Sequence, residues 1–484
     1  MVRPHAAAIV ATMDGGVTTD TTRVDARATQ RARDSGRWLV IGVLLAVVGV
    51  AMRINNAIRF RTGNGFDATQ NFEYIRLLMD SWALPAPDAS WATSHPPFFY
   101  YLSALLWRGF GWLDLEVVAL DAIPLGVSLA GLVAIAAAVR LAHRIDPGDL
   151  RRSVVSAALL LFLPVHVYMS PMLGEEMLGV MWSSLALVTA VPLLASSGAD
   201  DGSDRRALGR AAAVGLFAGL ALLTKLSGLL VLVAILGACV IGGLRRRDGS
   251  TMPSRCAVIL LVATAVGGWF YLRSWLSFGY LYPQDLPVHS QIFEMPPGTR
   301  SVLDYLWIPV ATFTDPQLLN PDLLHSIWGS TYATVWFDGH RHFLARTEAV
   351  TRIGSVIGLL ALLPTAAFLA GIVRGARRAI RDPGGLDTLL VLMVALTFAG
   401  YVAFTWGNPW YVTVKGSYLL VMSVPFAVYA GESLSLWMRV PGARGIGIQA
   451  VLAALVLLVA VVFTIGPVFV KEDGPGLPWK TLSG

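Results

Sequence analysis

Acidic and basic side chains stand at the margins of long apolar segments in this chain, and their types suit proton transfer beside a bound anion. Asp67 leads the stretch GFDATQNFEYIR, and Glu175 and Glu176 follow in YMSPMLGEEMLG. The cations lie in LLTKLSGLL (Lys225), YLRSWLSFGY (Arg273) and VKGSYLLVMSVP (Lys415). A carboxylate beside hydrocarbon is costly unless it is used, and a positioned one can take a proton from a hydroxyl. Ammonium and guanidinium groups can hold a phosphate or pyrophosphate. Each residue also has a plainer role. Asp67 can cap the helix that follows, with Gln70 completing a capping box. Glu175 and Glu176 suit the positive end of a helix dipole, and each cation can snorkel toward lipid headgroups. Taken together on one face of a membrane, the cations ask for an anion.

A second set of candidates lies between residues 276 and 350. It holds Tyr305, Trp307, Trp328, Tyr332 and Trp336, then WFDGHRHF with Asp338, His340 and His342. The aromatic residues can form an interfacial belt or stack on a sugar, and both readings stay open. The HxH beside Asp338 can be a metal site or a pair of histidines in a turn. His95, just before Pro96 and Pro97, either orients the first loop or touches a sugar.

The elements that must position these residues are helices in a membrane. The 484-residue chain is 55% hydrophobic and only 14% charged, with a mean hydropathy of +0.62; a soluble globule carries about a quarter charged residues. The apolar runs are continuous rather than alternating, which excludes a β-barrel and predicts an all-α polytopic membrane protein. Runs at 37–54, 117–139, 153–168, 174–195, 207–223, 226–243, 256–275, 351–373, 386–405, 415–437 and 446–468 make eleven crossings. The segment 97–112 is short and interrupted by Arg108, Gly109 and Gly111. Placing it in the interface puts the basic connectors 140–152, 205–210, 245–255, 374–381 and 439–444 all on the cytoplasmic side, as the positive-inside tendency requires. The expected organisation is a disordered cytoplasmic tail over 1–36, one transmembrane domain over 37–468 and a short outer tail over 469–484. Large outer loops then fall at 55–116 and 276–350, and the active site faces outward from the plasma membrane.

In the first outer loop, Phe72, Ile75, Leu78, Met79 and Trp82 recur at helical spacing, with Gln70, Asn71, Glu73, Arg76 and Asp80 on the other faces. That pattern predicts an amphipathic helix lying along the membrane. The net charge of +6 is accounted for by the short basic loops and implies no nucleic acid. Cys239 and Cys256 lie in or beside apolar runs and imply no disulfide framework. No repeat and no matched pair of broken helices is visible, so a secondary transporter or flippase is the weaker alternative.

The order and spacing of HPPFFYYLSALLW, SPMLGEE, GLALLTKLSGLLVL, RSWLSFGYLYP and KGSYLLVMSVPFA resemble membrane glycosyltransferases of the GT-C fold. These include family 39 relatives of protein O-mannosyltransferases and of the lipid A aminoarabinose transferase. The resemblance implies a polyprenyl-phosphate sugar donor, an inverting transfer on the outer face, and a lipid, polysaccharide or protein acceptor. It implies Asp67 as catalytic base or acceptor-positioning group. It gives Glu175 or Glu176 the task of orienting the acceptor or binding a divalent metal, and Lys225, Arg273 and Lys415, read above as an anion site, would then hold the lipid phosphate. Many relatives carry an adjacent Asp-Glu pair in the first loop, where this chain has Asp67 and Ala68. Several carry a soluble C-terminal domain, which leaves acceptor recognition here to 276–350.

Overall fold

A computed structural model describes residues 18–113, 116–195, 203–246, 251–283 and 286–469. The outermost parts of both expected tails lie outside these residues. Among the described residues the chain is helical, and its one β-type pairing is an isolated bridge between Pro297 and Trp410. The long elements are α1 (Thr18–Arg59), α2 (Ala68–Ser81), α3 (Phe98–Gly111), α4 (Glu116–Ile145), α5 (Leu150–Leu161), α6 (Pro164–Met169), α7 (Glu176–Ala195), α8 (Ser203–Thr224), α9 (Gly228–Arg246), α10 (Thr251–Ala263) and α11 (Trp269–Phe278). One-turn helices α12 (Ser290–Phe293), α13 (Ala311–Thr314) and α14 (Pro321–Leu324) follow. Then come α15 (Ile327–Trp336), α16 (Glu348–Arg381), α17 (Leu386–Gly407), α18 (Ser423–Met438) and α19 (Ala443–Phe469). The helical backbone of α1 begins at Thr18, inside the segment read as a tail.

Among the described residues, ten helical segments are long and apolar enough to cross a membrane, two of them joining consecutive elements: Met252–Phe278 runs through α10 and α11, and Tyr411–Met438 ends in α18. The expected eleventh, 153–168, is realised as α5 and α6, broken at Phe162 and Leu163. Pro164 explains the break, since it has no N–H to donate and its ring clashes with the carbonyl one turn back. The guanidinium of Arg53, fully buried in α1, covers the end of α5. It donates to the carbonyls of Leu161 at 2.9 Å and Leu160 at 3.2 Å, and meets His166 Nδ1 at 3.2 Å. A cation at a helix C-terminus opposes the dipole and satisfies carbonyls that the break leaves without partners. Together α5 and α6 still run from one end of the bundle to the other.

Two polar ends result. At one, ion pairs join the short connectors: Arg151 to Asp34, Arg152 and Arg378 to Glu432, Arg378 to Asp387, Arg245 to Asp382 and Arg439 to Asp149. At the other lie Asp67, Glu175, Lys225 and Lys415. Between them the helices pack closely through small residues. A Cβ on Gly215 of α8 would lie 2.7 Å from the Ile259 carbonyl oxygen, so α8 and α10 touch backbone to backbone.

Helices α2 and α3 are too short to cross and pack on each other, with the rings of Tyr74 and Tyr100 stacked at 4.1 Å. The buried face of α2 is Asn71, Tyr74, Ile75 and Leu78. Asn71 and Tyr74 therefore replace Trp82, which is 39% exposed, in the expected apolar stripe. The region 276–350 is also more than a surface loop, because α15 packs against α16 and, through Thr331 and the Tyr401 hydroxyl at 2.7 Å, against α17, with its Ile327, Ala333 and Trp336 buried.

Candidate active site at one end of the bundle

Asp67 heads α2 without capping it. Its backbone sits at φ +50° in the left-handed region, and its side chain makes no hydrogen bond to the helix N-terminus. Such a conformation is uncommon for a residue with a side chain, although Asp tolerates it better than most. The capping-box reading therefore fails. The carboxylate turns instead to Lys415 Nζ, 3.4 Å away and 348 residues later in the chain. The Asp67 side chain keeps 39% of its surface accessible. Its low-dielectric surroundings push the carboxyl up, but the charges of Lys415 and His95 outweigh them and hold it below the ordinary carboxylate value.

The second acidic pair belongs to the same end. Glu175, buried just ahead of α7, and Glu176 at its first position share Lys225, whose Nζ lies 3.2 Å from Glu175 Oε1 and 2.7 Å from Glu176 Oε1. Burial works against the charge on Lys225, but Glu176 and Glu175 outweigh it and keep this ammonium protonated well past its ordinary range. The ring of Tyr418 sits 5.4 Å from Lys225 Nζ and feels the charges of both lysines. Lys415 also lies over the Phe66 ring at 4.5 Å. Neither lysine snorkels: both are held in ion pairs inside the protein.

Tyr100 of α3 joins the first outer loop to this cluster. Its hydroxyl lies 2.9 Å from Asn71 Oδ1, 3.2 Å from Glu175 Oε2 and 3.1 Å from His95 Nδ1. Asn71 is fixed by donating to the Leu173 carbonyl at 2.8 Å. Burial and the neighbouring Glu175 carboxylate keep the Tyr100 phenol protonated far above its ordinary value. His95 Nδ1 is also 3.8 Å from Glu175 Oε1, so it faces this carboxylate. Sequence reasoning missed Tyr100 and Asn71. The signal available was Asn71 three residues before Tyr74 on the face that α3 covers.

Other candidates do not reach the carboxylates. Arg273 donates to the carbonyls of Leu84 at 3.2 Å and Pro85 at 3.4 Å, and so fastens the first loop to α11. Asp338, fully buried, accepts from the backbone N–H groups of His342, Phe343 and Leu344, the latter two at 2.7 Å. It anchors the loop, with three of its roughly four acceptor sites taken by backbone amides. His340 bonds the Val414 carbonyl at 3.1 Å through Nε2. The rings of His340 and His342 both pack on Phe66, at 5.3 and 4.4 Å. Burial, then Lys415, pushes His340 well below its usual value, and His342 is lowered chiefly by burial.

Among the described residues no group of three or more His, Cys, Asp or Glu side chains is arranged to hold a metal. The donor chemistry agrees, for Asp67, Glu175 and Glu176 each face a lysine ammonium. These residues do not fit a divalent ion.

Trp328 and Tyr332 line an apolar cavity of about 1040 Å³ between α15, α16, α17 and the turn Gly416–Met422. Their polar atoms are spent on backbone, Trp328 Nε1 on the Tyr305 carbonyl and the Tyr332 hydroxyl on the Gly358 carbonyl. They thus present ring faces to the cavity, together with Phe368, Phe398 and Phe426. Gly416 lines it too, directly after Lys415 in the chain.

Residues 94–269 match the family model for dolichyl-phosphate-mannose-protein mannosyltransferase, a stretch that contains His95, Tyr100, Glu175, Glu176 and Lys225. The helical arrangement is similar to that of the oligosaccharyltransferase of Archaeoglobus fulgidus in its apo form, at a TM-score of 0.55 and 16% identity over 92% of this chain. The chain has the fold of the GT-C membrane glycosyltransferases. It covers 57% of the archaeal protein's length. The same archaeal enzyme in complex with an inhibitory peptide and a dolichol-phosphate aligns at a TM-score of 0.52 and 16% identity, over 92% of this chain and 57% of that one. ArnT from Cupriavidus metallidurans bound to undecaprenyl phosphate aligns at 0.48 and 16% identity, over 88% of this chain and 76% of that one. No curated protein matches at the sequence level.

Proposed function

We propose that this protein is a glycosyltransferase that moves a sugar from a polyprenyl-phosphate donor to an acceptor hydroxyl at the outer face of the plasma membrane. The observation that carries the reading is the Asp67–Lys415 pair, at 3.4 Å, beside a large apolar cavity that Gly416 helps to line. A cavity of about 1040 Å³ is at the upper end of ligand sites, commonly about 300–1,000 Å³. Its hydrocarbon lining suits a prenyl chain, and a chain seated there brings its phosphate toward Lys415. The family match over 94–269 and the dolichol-phosphate bound by the similar archaeal enzyme support a lipid-phosphate donor. The basic connectors gathered at the far end support an outward-facing site.

The reaction is a single displacement. The acceptor oxygen attacks the anomeric carbon from the side opposite the phosphate, and the carbon–oxygen bond to phosphate breaks with its electron pair passing to the phosphate oxygen. Configuration inverts. Asp67 takes the hydroxyl proton as the new bond forms, and Lys415 neutralises the departing phosphate. The Glu175–Glu176–Lys225 cluster, with Tyr100 and His95, orients the sugar and the acceptor. A positioned base contributes roughly a hundred- to ten-thousandfold in rate, so Asp67→Asn removes detectable transfer while leaving the fold intact.

Mass spectrometry of glycans and glycolipids from cells producing the wild-type or the Asp67→Asn protein tests the proposal. A glycosylated product present with the first and missing with the second, at equal protein level, supports it. Identical product profiles from both remove Asp67 from the mechanism, and a wild-type profile identical to that of cells without the gene removes the transferase reading.

A further inference from the structure

The two lysines at the site are not equivalent. Lys225 has committed two of its three N–H donors, to Glu175 Oε1 at 3.2 Å and Glu176 Oε1 at 2.7 Å, and a Tyr418 ring covers another side. Lys415 has a single carboxylate partner, Asp67, at the long distance of 3.4 Å, and a Phe66 ring 4.5 Å away. Of the two, Lys415 is the ammonium with bonding capacity to spare. Its neighbour Gly416 lines the apolar cavity, so the cavity wall lies one residue along the chain from Lys415.

Charge sets a second constraint. Asp67, Glu175 and Glu176 against Lys225 and Lys415 leave the cluster with one net negative charge. The phosphodiester of an arriving polyprenyl-phosphate sugar adds one more, and its departure as a monoester adds a further one, in surroundings of low dielectric where like charges disfavour each other's ionisation. The groups facing Asp67 are Lys415, His95 and Glu175, and His342 and Tyr418 also feel its charge. Among these only Lys415 carries a fixed positive charge.

From this we infer that Lys415 is a shared cation, bound to Asp67 in the free protein and to the donor phosphate in the complex. Seating the lipid phosphate then releases Asp67 to accept the proton of the acceptor hydroxyl. The inference rests on the reading of the site as one for a polyprenyl phosphate. In the free protein the ion pair keeps Asp67 a weak base, which suits an enzyme that must not act without its donor. Once Lys415 turns to phosphate, the proton affinity of Asp67 rises when the acceptor needs a base. On release of the lipid phosphate, the proton leaves to water through the accessible face of Asp67 and the pair reforms.

Labelling with dicyclohexylcarbodiimide, which modifies protonated carboxyls, reads this directly in the full-length protein in lipid nanodiscs. Peptide mass spectrometry follows Asp67, with Glu175 and Glu176 as internal references. Undecaprenyl phosphate is expected to raise Asp67 labelling about tenfold for each unit by which its pKa climbs, while Glu175 and Glu176 stay unchanged. Lys415→Gln is expected to label strongly without lipid and to show no further rise with it. Lipid phosphate retained in native mass spectrometry without any change in wild-type labelling overturns the switch and leaves the donor assignment standing. Failure of undecaprenyl phosphate to bind overturns the donor assignment and the switch with it.

Discussion

Tyr100 shows how one hydroxyl ties the site together. It has a single proton and faces the Asn71 amide oxygen, a Glu175 carboxylate oxygen and His95 Nδ1 within 3.2 Å. Replacing it with Phe preserves the stack on Tyr74 but frees His95 to rotate and leaves the Glu175 oxygen short of a donor. A lost hydrogen bond to a charged group costs about 1.5–3 kcal/mol. Tyr100→Phe is therefore expected to lower turnover roughly ten- to a hundredfold and also to lower the melting temperature, read from initial rates and a melting curve. Asp67 gives a pH prediction of definite sign. Its carboxyl is depressed in the free protein, so the ionised, base-competent form persists above that depressed value and is lost only as pH falls through it. The acid limb of kcat/KM, which reports the free enzyme, is expected below the ordinary carboxylate range. If donor binding takes Lys415 away, the acid limb of kcat lies at higher pH than that of kcat/KM. Coincident limbs in the two profiles count against the shared lysine.

At the scale of elements, the break between α5 and α6 is held by a residue from another helix. Arg53 is fully buried and faces the carbonyls of Leu160 and Leu161, so truncating it leaves both acceptors unsatisfied. Each orphaned buried acceptor costs about 1–3 kcal/mol, and Arg53→Met is expected to lower the melting temperature in detergent measurably. An unchanged melting temperature shows that water replaces the guanidinium. The hydropathy pattern read 153–168 as one crossing and could not show the break into α5 and α6, since Pro is tolerated within membrane helices when neighbours satisfy the freed groups. The amphipathic reading of α2 succeeded for Ile75 and Leu78 and failed for Asn71. A polar residue can be buried when a partner from elsewhere, here the Leu173 carbonyl and Tyr100, meets it.

For the molecule as a whole, the end opposite the site is fastened by Glu432, which accepts from Arg152, Arg374 and Arg378 and so joins α5, α16 and α18. Removing one partner from a buried pair costs about 3–5 kcal/mol because the remaining charges stay uncompensated. Glu432→Gln is expected to destabilise the bundle by that order in chemical unfolding while leaving the transfer chemistry at the other end intact. A loss of turnover in the folded variant would show that the two ends are coupled. The amino-acid sequence alone determined the membrane class, the helical architecture and the candidate set Asp67, Glu175, Glu176, Lys225 and Lys415, because solvent choice and hydrophobic period are properties of contiguous residues. It also suggested roles for Asp338, His340 and Arg273 that packing assigns instead to backbone carbonyls and amides. Only the tertiary structure decided which carboxylate meets which lysine, for Asp67 and Lys415 lie 348 residues apart. Ion pairing falls off with distance in space, not along the chain, so the partners of a charge become visible only once the helices are packed.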